Sequence, residues 1–109
     1  MALKANLVID QGTDFSTTID VTTEDGTIVD LTGYTGAAQM RKHYTSTVAY
    51  AFTVTTGGTA GTVTLSMNSA TTANIAAGRY VYDCELTDTA NTVSRLVEGI
   101  VTITPQVTR

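Results

Sequence analysis

The side chains best suited to chemistry are few in this sequence, which has one histidine and one cysteine. His43 stands in the run Arg41-Lys42-His43-Tyr44, near the end of a β-like segment. A Ser-His-Asp hydrolase needs its histidine held between a nucleophile and an acid, and a zinc site needs several Cys or His ligands. We therefore predict that His43 is solvated, and that the chain has no catalytic residue and no metal site.

Cys84 has no second cysteine with which to form an intramolecular disulfide. In an alternating strand pattern Cys84 lies on the same face as Tyr82 and Leu86, whereas its neighbours Asp83 and Glu85 lie on the opposite face. A reactive thiol needs exposure and cationic neighbours, and a lone thiol on an apolar face is usually a small buried hydrophobe. The pattern predicts a buried, unreactive Cys84, with Asp83 and Glu85 on a solvated face.

Carboxylates are concentrated in the first third of the chain, where a calcium site is the alternative to solvated charge. They are Asp10, Asp14, Asp20, Glu24, Asp25 and Asp30. None has the spacing of a calcium-binding loop, and the Gly57-Gly58 loop lacks the lysine of a phosphate-binding loop. We predict solvated carboxylates and no cofactor.

Three tyrosines are the candidate partner-binding residues. Tyr34, Tyr44 and Tyr50 each combine an apolar ring with a polar tip, which suits a sugar or a protein partner. Packing of the same rings against a sheet is the alternative.

Charge and hydropathy exclude some partners. The net charge is −4 and the pI is about 4.6, whereas nucleic-acid binding needs clustered Lys and Arg. No apolar run approaches the roughly 20 residues that span a bilayer, and no signal-peptide pattern opens the chain. We predict no nucleic-acid partner, no membrane partner and folding in the cytosol.

The segment from Gly78 to Pro105 predicts a central hairpin around which the rest of the chain folds. In its first half Tyr80, Tyr82 and Cys84 fall on one face and Val81, Asp83 and Glu85 on the other, as in a strand with one buried face. A polar turn at residues 88–91 joins it to a second strand that ends before Pro105, which lacks a backbone donor.

Shorter strands are predicted before this hairpin, separated by turn signals. They cover residues 3–10, 14–22, 28–31, 35–44, 48–55 (near an edge) and 62–67, with Ala38, Met40, Tyr44, Val63, Leu65 and Met67 facing inward. Asp25-Gly26 predicts a type I′ turn. Asn68 or Ser69 as a cap and Gly78 as a C′ residue predict one helical turn near residues 69–76 that crosses between two sheets.

Strands at this spacing, with threonine at about one residue in five, predict an all-β fold. The expected architecture is one immunoglobulin-like β-sandwich domain over residues 1–109, with about seven to eight antiparallel strands. Tyr82 and Cys84 have the spacing of an immunoglobulin F strand, in which the tyrosine bonds the preceding corner. The chain lacks the second cysteine and the tryptophan of antibody domains.

Four segments in order carry a resemblance to a known group of proteins. They are Ile9-Asp10-Gln11-Gly12-Thr13-Asp14-Phe15, Asp30-Leu31-Thr32-Gly33-Tyr34, Ala77-Gly78-Arg79-Tyr80-Val81-Tyr82-Asp83 and Val97-Glu98-Gly99. Together they resemble small virion structural proteins of tailed bacteriophages, including cyanophages. The opening is also similar to the amino-terminal domain of phage baseplate upper proteins.

This resemblance implies a non-enzymatic adaptor, made in the host cytoplasm, that docks on tail, baseplate or neck components of the virion. The expected partners are other virion proteins, with multiple copies set by particle symmetry. Sheet surfaces and edges would make the contacts. Two alternatives remain open: a capsid decoration protein, and a carbohydrate-binding or host-attachment domain that uses the tyrosines.

Overall fold

The computed structural model describes residues 3–23 and 25–108, so Met1, Ala2, Glu24 and Arg109 lie outside the described residues. The chain is nearly all β, as predicted. The strands are β1 (Leu3–Lys4), β2 (Leu7–Asp10), β3 (Phe15–Asp20), β4 (Thr35–Arg41), β5 (Tyr50–Thr56), β6 (Thr62–Met67), β7 (Gly78–Thr87) and β8 (Val93–Thr104). A 3₁₀ turn covers Gly58–Ala60, and the single-turn helix α1 covers Ser69–Thr72.

The strands form one continuous hydrogen-bonded path in the order β1-β8-β7-β4-β5-β6-β3, with β2 also paired to β8. Both β1 and β2 run parallel to β8, and the other pairs are antiparallel. The prediction of antiparallel strands only is therefore wrong for the first strand. The reason is that the chain begins and ends with strands that run in the same direction.

Strand β5 links the two halves of the sheet. Its first residues, Tyr50–Phe52, pair with β4, whereas 53–56 pair with β6. We predicted this strand near an edge, but it lies in the middle of the path. Local periodicity does not show that a seven-residue strand divides its partners between two neighbours.

The central hairpin is formed as predicted. Strands β7 and β8 pair from Gly78 opposite Ile103 to Thr87 opposite Val93. The Asp88 carboxylate accepts hydrogen bonds from the backbone N–H groups of Ala90 and Thr92, both at 2.9 Å, which closes the turn. The buried face of the β7–β8 hairpin packs against the inner residues of the other strands in one core.

The core confirms most of the predicted inward positions. The buried residues include Ala38, Met40, Val63, Leu65, Met67, Tyr80, Tyr82, Cys84 and Leu86. The prediction that Tyr44 faces inward is wrong, because this residue is 83% exposed. Strand β4 ends at Arg41, so the alternation that we extended to Tyr44 has already stopped.

The first predicted strand, 3–10, is divided at Ala5 and Asn6 by Gly99 of β8. A β-carbon at Gly99 would lie 2.1 Å from the Ala5 carbonyl oxygen, so the backbones approach here as only glycine permits. The Ala5 carbonyl accepts a hydrogen bond from the Tyr82 hydroxyl at 2.7 Å. Asn6 Oδ1 accepts one from the Ile100 N–H at 3.1 Å. Side chains thus replace ladder bonds at the break.

The hairpin before β4 differs from the prediction in two ways. Gly26 has the positive φ (+89°) that a type I′ turn needs at its second central residue. Its N–H, however, donates to the Thr23 carbonyl at 2.9 Å, so a hydrogen-bonded turn ends at Gly26 and is not centred on Asp25-Gly26. The predicted strand at 28–31 is reduced to an isolated bridge between Thr22 and Ile28. The segment therefore reads as a loop with one pairing.

The helical turn lies where the sequence placed it, between β6 and β7. Asn68 caps it, since its Oδ1 accepts a hydrogen bond from the Thr71 N–H at 2.8 Å. The buried Thr72 hydroxyl donates to the Thr13 carbonyl at 2.8 Å, which ties the helix to the loop before β3. Gly78 is not the C′ residue, because α1 ends at Thr72 and Gly78 opens β7 with φ +143°.

Candidate partner-binding surfaces

A cleft of about 500 Å³ lies at the end of the molecule where β4 finishes and β7 begins. Its walls are the 42–48 turn, Tyr50, residues 76–77 and Tyr80; we call it the basic cleft. Its volume is within the range of about 300–1,000 Å³ that is typical of ligand sites.

The turn at the rim of the basic cleft is held by its own hydrogen bonds. Arg41 Nη1 donates to the Ser46 carbonyl at 2.5 Å, and the His43 N–H donates to Ser46 Oγ at 3.0 Å. Val48, which follows this turn, is 63% exposed and lines the opening. The cleft therefore presents an apolar side chain to solvent beside a fixed turn.

Two packed tyrosines form the floor of the basic cleft. The rings of Tyr50 and Tyr80 meet edge to face with centroids 6.1 Å apart, an arrangement that aromatic pairs favour. The Tyr80 hydroxyl donates to the Ala76 carbonyl at 2.7 Å. We assigned this corner bond to Tyr82, and that prediction is wrong, because the Tyr82 hydroxyl reaches Ala5 instead.

The charge around the basic cleft is of one sign. Lys42 Nζ lies 5.0 Å from the centroid of the Tyr80 ring, within the range of a cation–π contact. Lys42 and His43 also line an adjoining depression together with Arg79. No Asp or Glu lines either depression among the described residues. On a chain with net charge −4, this is a local reversal of sign.

The three predicted tyrosines do not form one surface. Tyr50 lies in the floor of the basic cleft, and Tyr44 lines a second, polar groove on the outer face of β4, β7 and β8. Tyr34 precedes β4 and packs against the core at the opposite end of that strand. The rings of Tyr50 and Tyr34 are thus partly packed against the core, which was the alternative to partner binding. Of the three tyrosines only Tyr44 is largely exposed.

Sequence reasoning missed Lys42 and Tyr80 as members of a site. The strand predicted over residues 35–44 would place Lys42 on the face opposite Arg41 and His43. Strand β4 instead ends at Arg41, and both Lys42 and His43 line the cleft. An earlier strand end, signalled by the Ser and Thr residues at 45–47, was the available clue.

The outer groove beside Tyr44 carries mixed charge. Arg95 pairs with Asp83 at 3.5 Å and with Glu98 at 3.1 Å, and the three side chains are 30–49% exposed. Exposed pairs of this kind contribute about 0–1 kcal/mol. The ion pairs of this groove therefore contribute little to the stability of the fold, and the groove is a polar face.

Several of the predicted carboxylates accept hydrogen bonds, some from distant segments and some from their own turns. Asp14 accepts a hydrogen bond from the Ser69 N–H at 2.7 Å, and Asp10 accepts one from the Thr104 hydroxyl at 2.7 Å. The Thr32 hydroxyl and N–H lower the pKa of Asp30. Asp20 is exposed and Glu24 lies outside the described residues. Within the described ranges no three Asp, Glu, His or Cys side chains are grouped to hold a metal ion.

The free edge of β3 is a third surface, and its inner row is unusually accessible. Phe15, Thr17 and Ile19 face inward but are only partly buried, whereas their partners Met67, Leu65 and Val63 on β6 are 4%, 0% and 0% exposed. Among the described residues, β3 pairs with β6 alone. The difference in burial arises because β6 has a strand on each side.

Backbone groups of β3 point away from β6 at alternate residues. The Val21 N–H donates to the Gly61 carbonyl at 2.7 Å, so the Asp20 carbonyl, on the same peptide, points outward. Alternation along an antiparallel strand then directs the N–H and C=O groups of Ser16 and Thr18 to the free edge. The hydroxyls of Thr18 and Thr64 lie 3.2 Å apart across the closed side.

Cys84 is fully buried, as predicted. Burial, and then the carboxylates of Asp83 and Glu85, raise the pKa of its thiol to about 11. Burial, and then Cys84, raise the pKa of Tyr82 to about 12. Both groups favour the neutral form in the folded chain.

We expect stability to fall as the pH rises above about 9. The folded pKa of Cys84 is about 11 against an ordinary value of 9.0, so its contribution is complete below pH 9.0 and is lost as the pH rises through 11. Tyr82 extends the loss toward pH 12. Urea unfolding midpoints across this window measure the effect.

The control for this prediction is Cys84→Ala, which should remove the part of the fall that begins near pH 9. A wild-type midpoint that stays constant from pH 9 to 11 would show that the thiol ionises freely in the folded chain.

Comparison with solved structures shows that the chain is similar to the Listeria monocytogenes internalin-like protein lmo2027, among other structures. The TM-score is 0.47 with 15% sequence identity, and the match covers 96% of this chain and 28% of that protein. This likeness is too distant to carry a function from one protein to the other. No protein-family model and no curated protein matches the chain. No helix among the described residues is both long enough and apolar enough to cross a bilayer.

Proposed function

We propose that the chain is a non-enzymatic structural or adaptor protein of a tailed-bacteriophage virion, which docks on tail, baseplate or neck components. The sequence resemblance suggests the setting. The half-buried inner row at the free edge of β3 is the observation that supports docking by strand pairing.

A strand added beside β3 would satisfy two needs at once. It would pair with the outward N–H and C=O groups of Ser16 and Thr18, and its side chains would cover Phe15 and Ile19. Proteins usually protect exposed edges with Lys, Pro or a bulge, whereas β3 (FSTTID) has neither Lys nor Pro, and its pairing with β6 runs without a register shift.

We also propose that the sheet path is an immunoglobulin-like sandwich. One layer would be β2, β8, β7 and β4, and the other β6 and β3, with β5 passing from the first to the second. The shared core and the Tyr80 corner bond support this arrangement. An experimental structure with the two groups in one flat layer would contradict it.

Thr18→Pro tests the edge. Proline removes the outward N–H of residue 18 and is tolerated on edge strands, so we expect a folded variant that is no longer incorporated into particles. Thr18→Val is the matched control, since it removes the hydroxyl contact with Thr64 but keeps the N–H. The measurement is the amount of each variant in purified phage particles, by mass spectrometry, beside a thermal melt.

Incorporation of Thr18→Pro at the wild-type level would exclude docking through β3. Absence of the wild-type protein from the particles would exclude the virion assignment itself. Cryo-electron microscopy of the particle separates a tail, baseplate or neck position from capsid decoration.

Carbohydrate binding is the second candidate function, favoured by the exposure of Tyr44 and the position of Tyr50 in the cleft. Glycan-array binding that is lost in Tyr44→Ala or Tyr50→Ala would support a host-attachment role. Tyr34→Ala is the control, because Tyr34 lies away from both.

A further inference from the structure

The basic cleft has a counterpart of opposite charge at the other end of the molecule. The strand registers put the end of β3 and the start of β6 together, at Asp20 opposite Thr62. They put the start of β4 beside the end of β7, at Thr35 opposite Thr87. The cleft lies at the reverse ends of these strands, beyond Arg41 and Gly78.

Four carboxylates occupy this far end, which we call the acidic end: Asp20, Asp25, Asp30 and Asp88. The described Lys and Arg residues lie elsewhere. Lys4 is on β1, Arg41, Lys42 and Arg79 are at the cleft end, and Arg95 is paired on the outer face of β8. Asp10, at the end of β2, and Asp14, just before β3, also lie at the cleft end, but neither lines the cleft or its adjoining depression. The cleft end therefore carries both signs, with Lys42 and Arg79 at the two depressions, whereas the acidic end carries carboxylates.

The acidic end also carries an exposed apolar side chain. Ile28, in the loop between Asp25 and Asp30, is 60% exposed. The backbone around it is fixed, because the Val29 N–H donates to the Val21 carbonyl at 3.0 Å and the Leu31 N–H donates to the Gly58 carbonyl at 2.9 Å. Ile28 thus projects from an anchored loop.

Hydrogen bonds within the loop favour the charged forms of the two carboxylates beside Ile28. Hydrogen bonds from the side chain of Thr23 and then from Thr27 lower the pKa of Asp25 to about 2. The hydroxyl and N–H of Thr32 lower the pKa of Asp30. Both carboxylates are exposed to a partner.

We propose that the basic cleft receives the acidic end of a second copy of this chain, with Ile28 entering the cleft and Asp25 and Asp30 facing Lys42 and His43. The match of sign, the apolar floor of Tyr50 and Tyr80, and the volume of about 500 Å³ support this occupant. The contact joins different surfaces, so it generates a ring or an open chain. It depends neither on the β3 edge nor on a virion location.

A charge-exchange experiment tests the contact. Lys42→Glu places a negative charge in the cleft, and the double change Asp25→Lys with Asp30→Lys places two positive charges beside Ile28. We expect each variant alone to associate at least about tenfold more weakly than the wild type. Their mixture should recover association, since a contact between the two different variants again places opposite charges at residue 42 and at residues 25 and 30.

The measurement is sedimentation velocity of the purified chain at low salt, up to about 1 mM protein. Salt near 1 M should weaken the wild-type contact, because it reduces the Debye length to about 3 Å. Lys4→Glu is the matched control: it makes the same charge change on β1, away from the cleft, and should associate as the wild type does.

Three results would overturn the proposal. They are a monomeric wild-type chain over this range, a mixture no more associated than its components, and equal weakening by Lys4→Glu. If instead a synthetic acidic peptide bound the cleft of a monomeric chain, the occupant would be a different protein. None of these results bears on incorporation through β3, so the two proposals fail separately.

Discussion

Tyr82→Ala is expected to destabilise the fold by about 3–5 kcal/mol, the usual cost of removing a large buried aromatic ring. The Tyr82 side chain is 4% exposed, and its ring lies edge-on to Phe52 with centroids 6.2 Å apart. The change leaves a cavity in the core and also leaves the Ala5 carbonyl without its hydrogen bond. The total free energy of unfolding of a single domain is about 5–15 kcal/mol, so this loss is a large part of the stability.

The measurement is the free energy of unfolding from urea or guanidinium titration of both chains. Tyr82→Phe is the matched control, because it keeps the ring and removes only the hydroxyl. We expect it to cost about 1–3 kcal/mol, the cost of a buried carbonyl left unpaired. A loss below about 1 kcal/mol for Tyr82→Ala would mean that the ring is not part of the core.

Gly99→Val is expected to cost about 3 kcal/mol, at the upper end of the range for an overpacked site. The added β-carbon would lie 2.1 Å from the Ala5 carbonyl oxygen. Backbone cannot rotate aside as a side chain does, so β1 and β2 must move away from β8. That movement also breaks the Tyr82–Ala5 and Ile100–Asn6 hydrogen bonds.

Amide hydrogen exchange distinguishes this mechanism from general destabilisation. Protection should be lost first at Ala5, whose N–H donates to the Glu98 carbonyl at 2.9 Å, and later in β6. Ala37→Val is the control, because it adds the same side chain at an exposed strand position and should change stability by no more than about 0.5 kcal/mol. Equal loss of protection in β2 and β6 would contradict the local account.

The two predictions concern one junction, and together they explain how the start of the chain is held against its end. Tyr82 and Gly99 are opposite each other on β7 and β8. The absence of a side chain at Gly99 lets the first strand approach, and the Tyr82 hydroxyl then bonds it. Neither residue alone indicates this in the sequence, because the partner carbonyl of Ala5 is 77 residues away.

Some features of the candidate surfaces were accessible from sequence and others were not. Burial of Cys84 followed from its place in an alternating row. The exposure of Tyr44 did not, because it depends on β4 ending at Arg41. The basic cleft required Lys42 to meet Tyr80, two residues brought together only by the pairing of β4 with β7.

By itself the sequence determined the properties that depend on neighbours a few residues away. These are the all-β class, the inward rows of β6 and β7, the start of a helical turn at residues 68–69 and the turn at Asp88. Alternation and short-range hydrogen bonding act locally, so they can be read locally. Long-range contacts set the parallel pairing of β2 with β8, the divided pairing of β5, the free edge of β3 and the meeting of Lys42 with Tyr80. Those features depend on contacts between distant segments, which no local pattern contains.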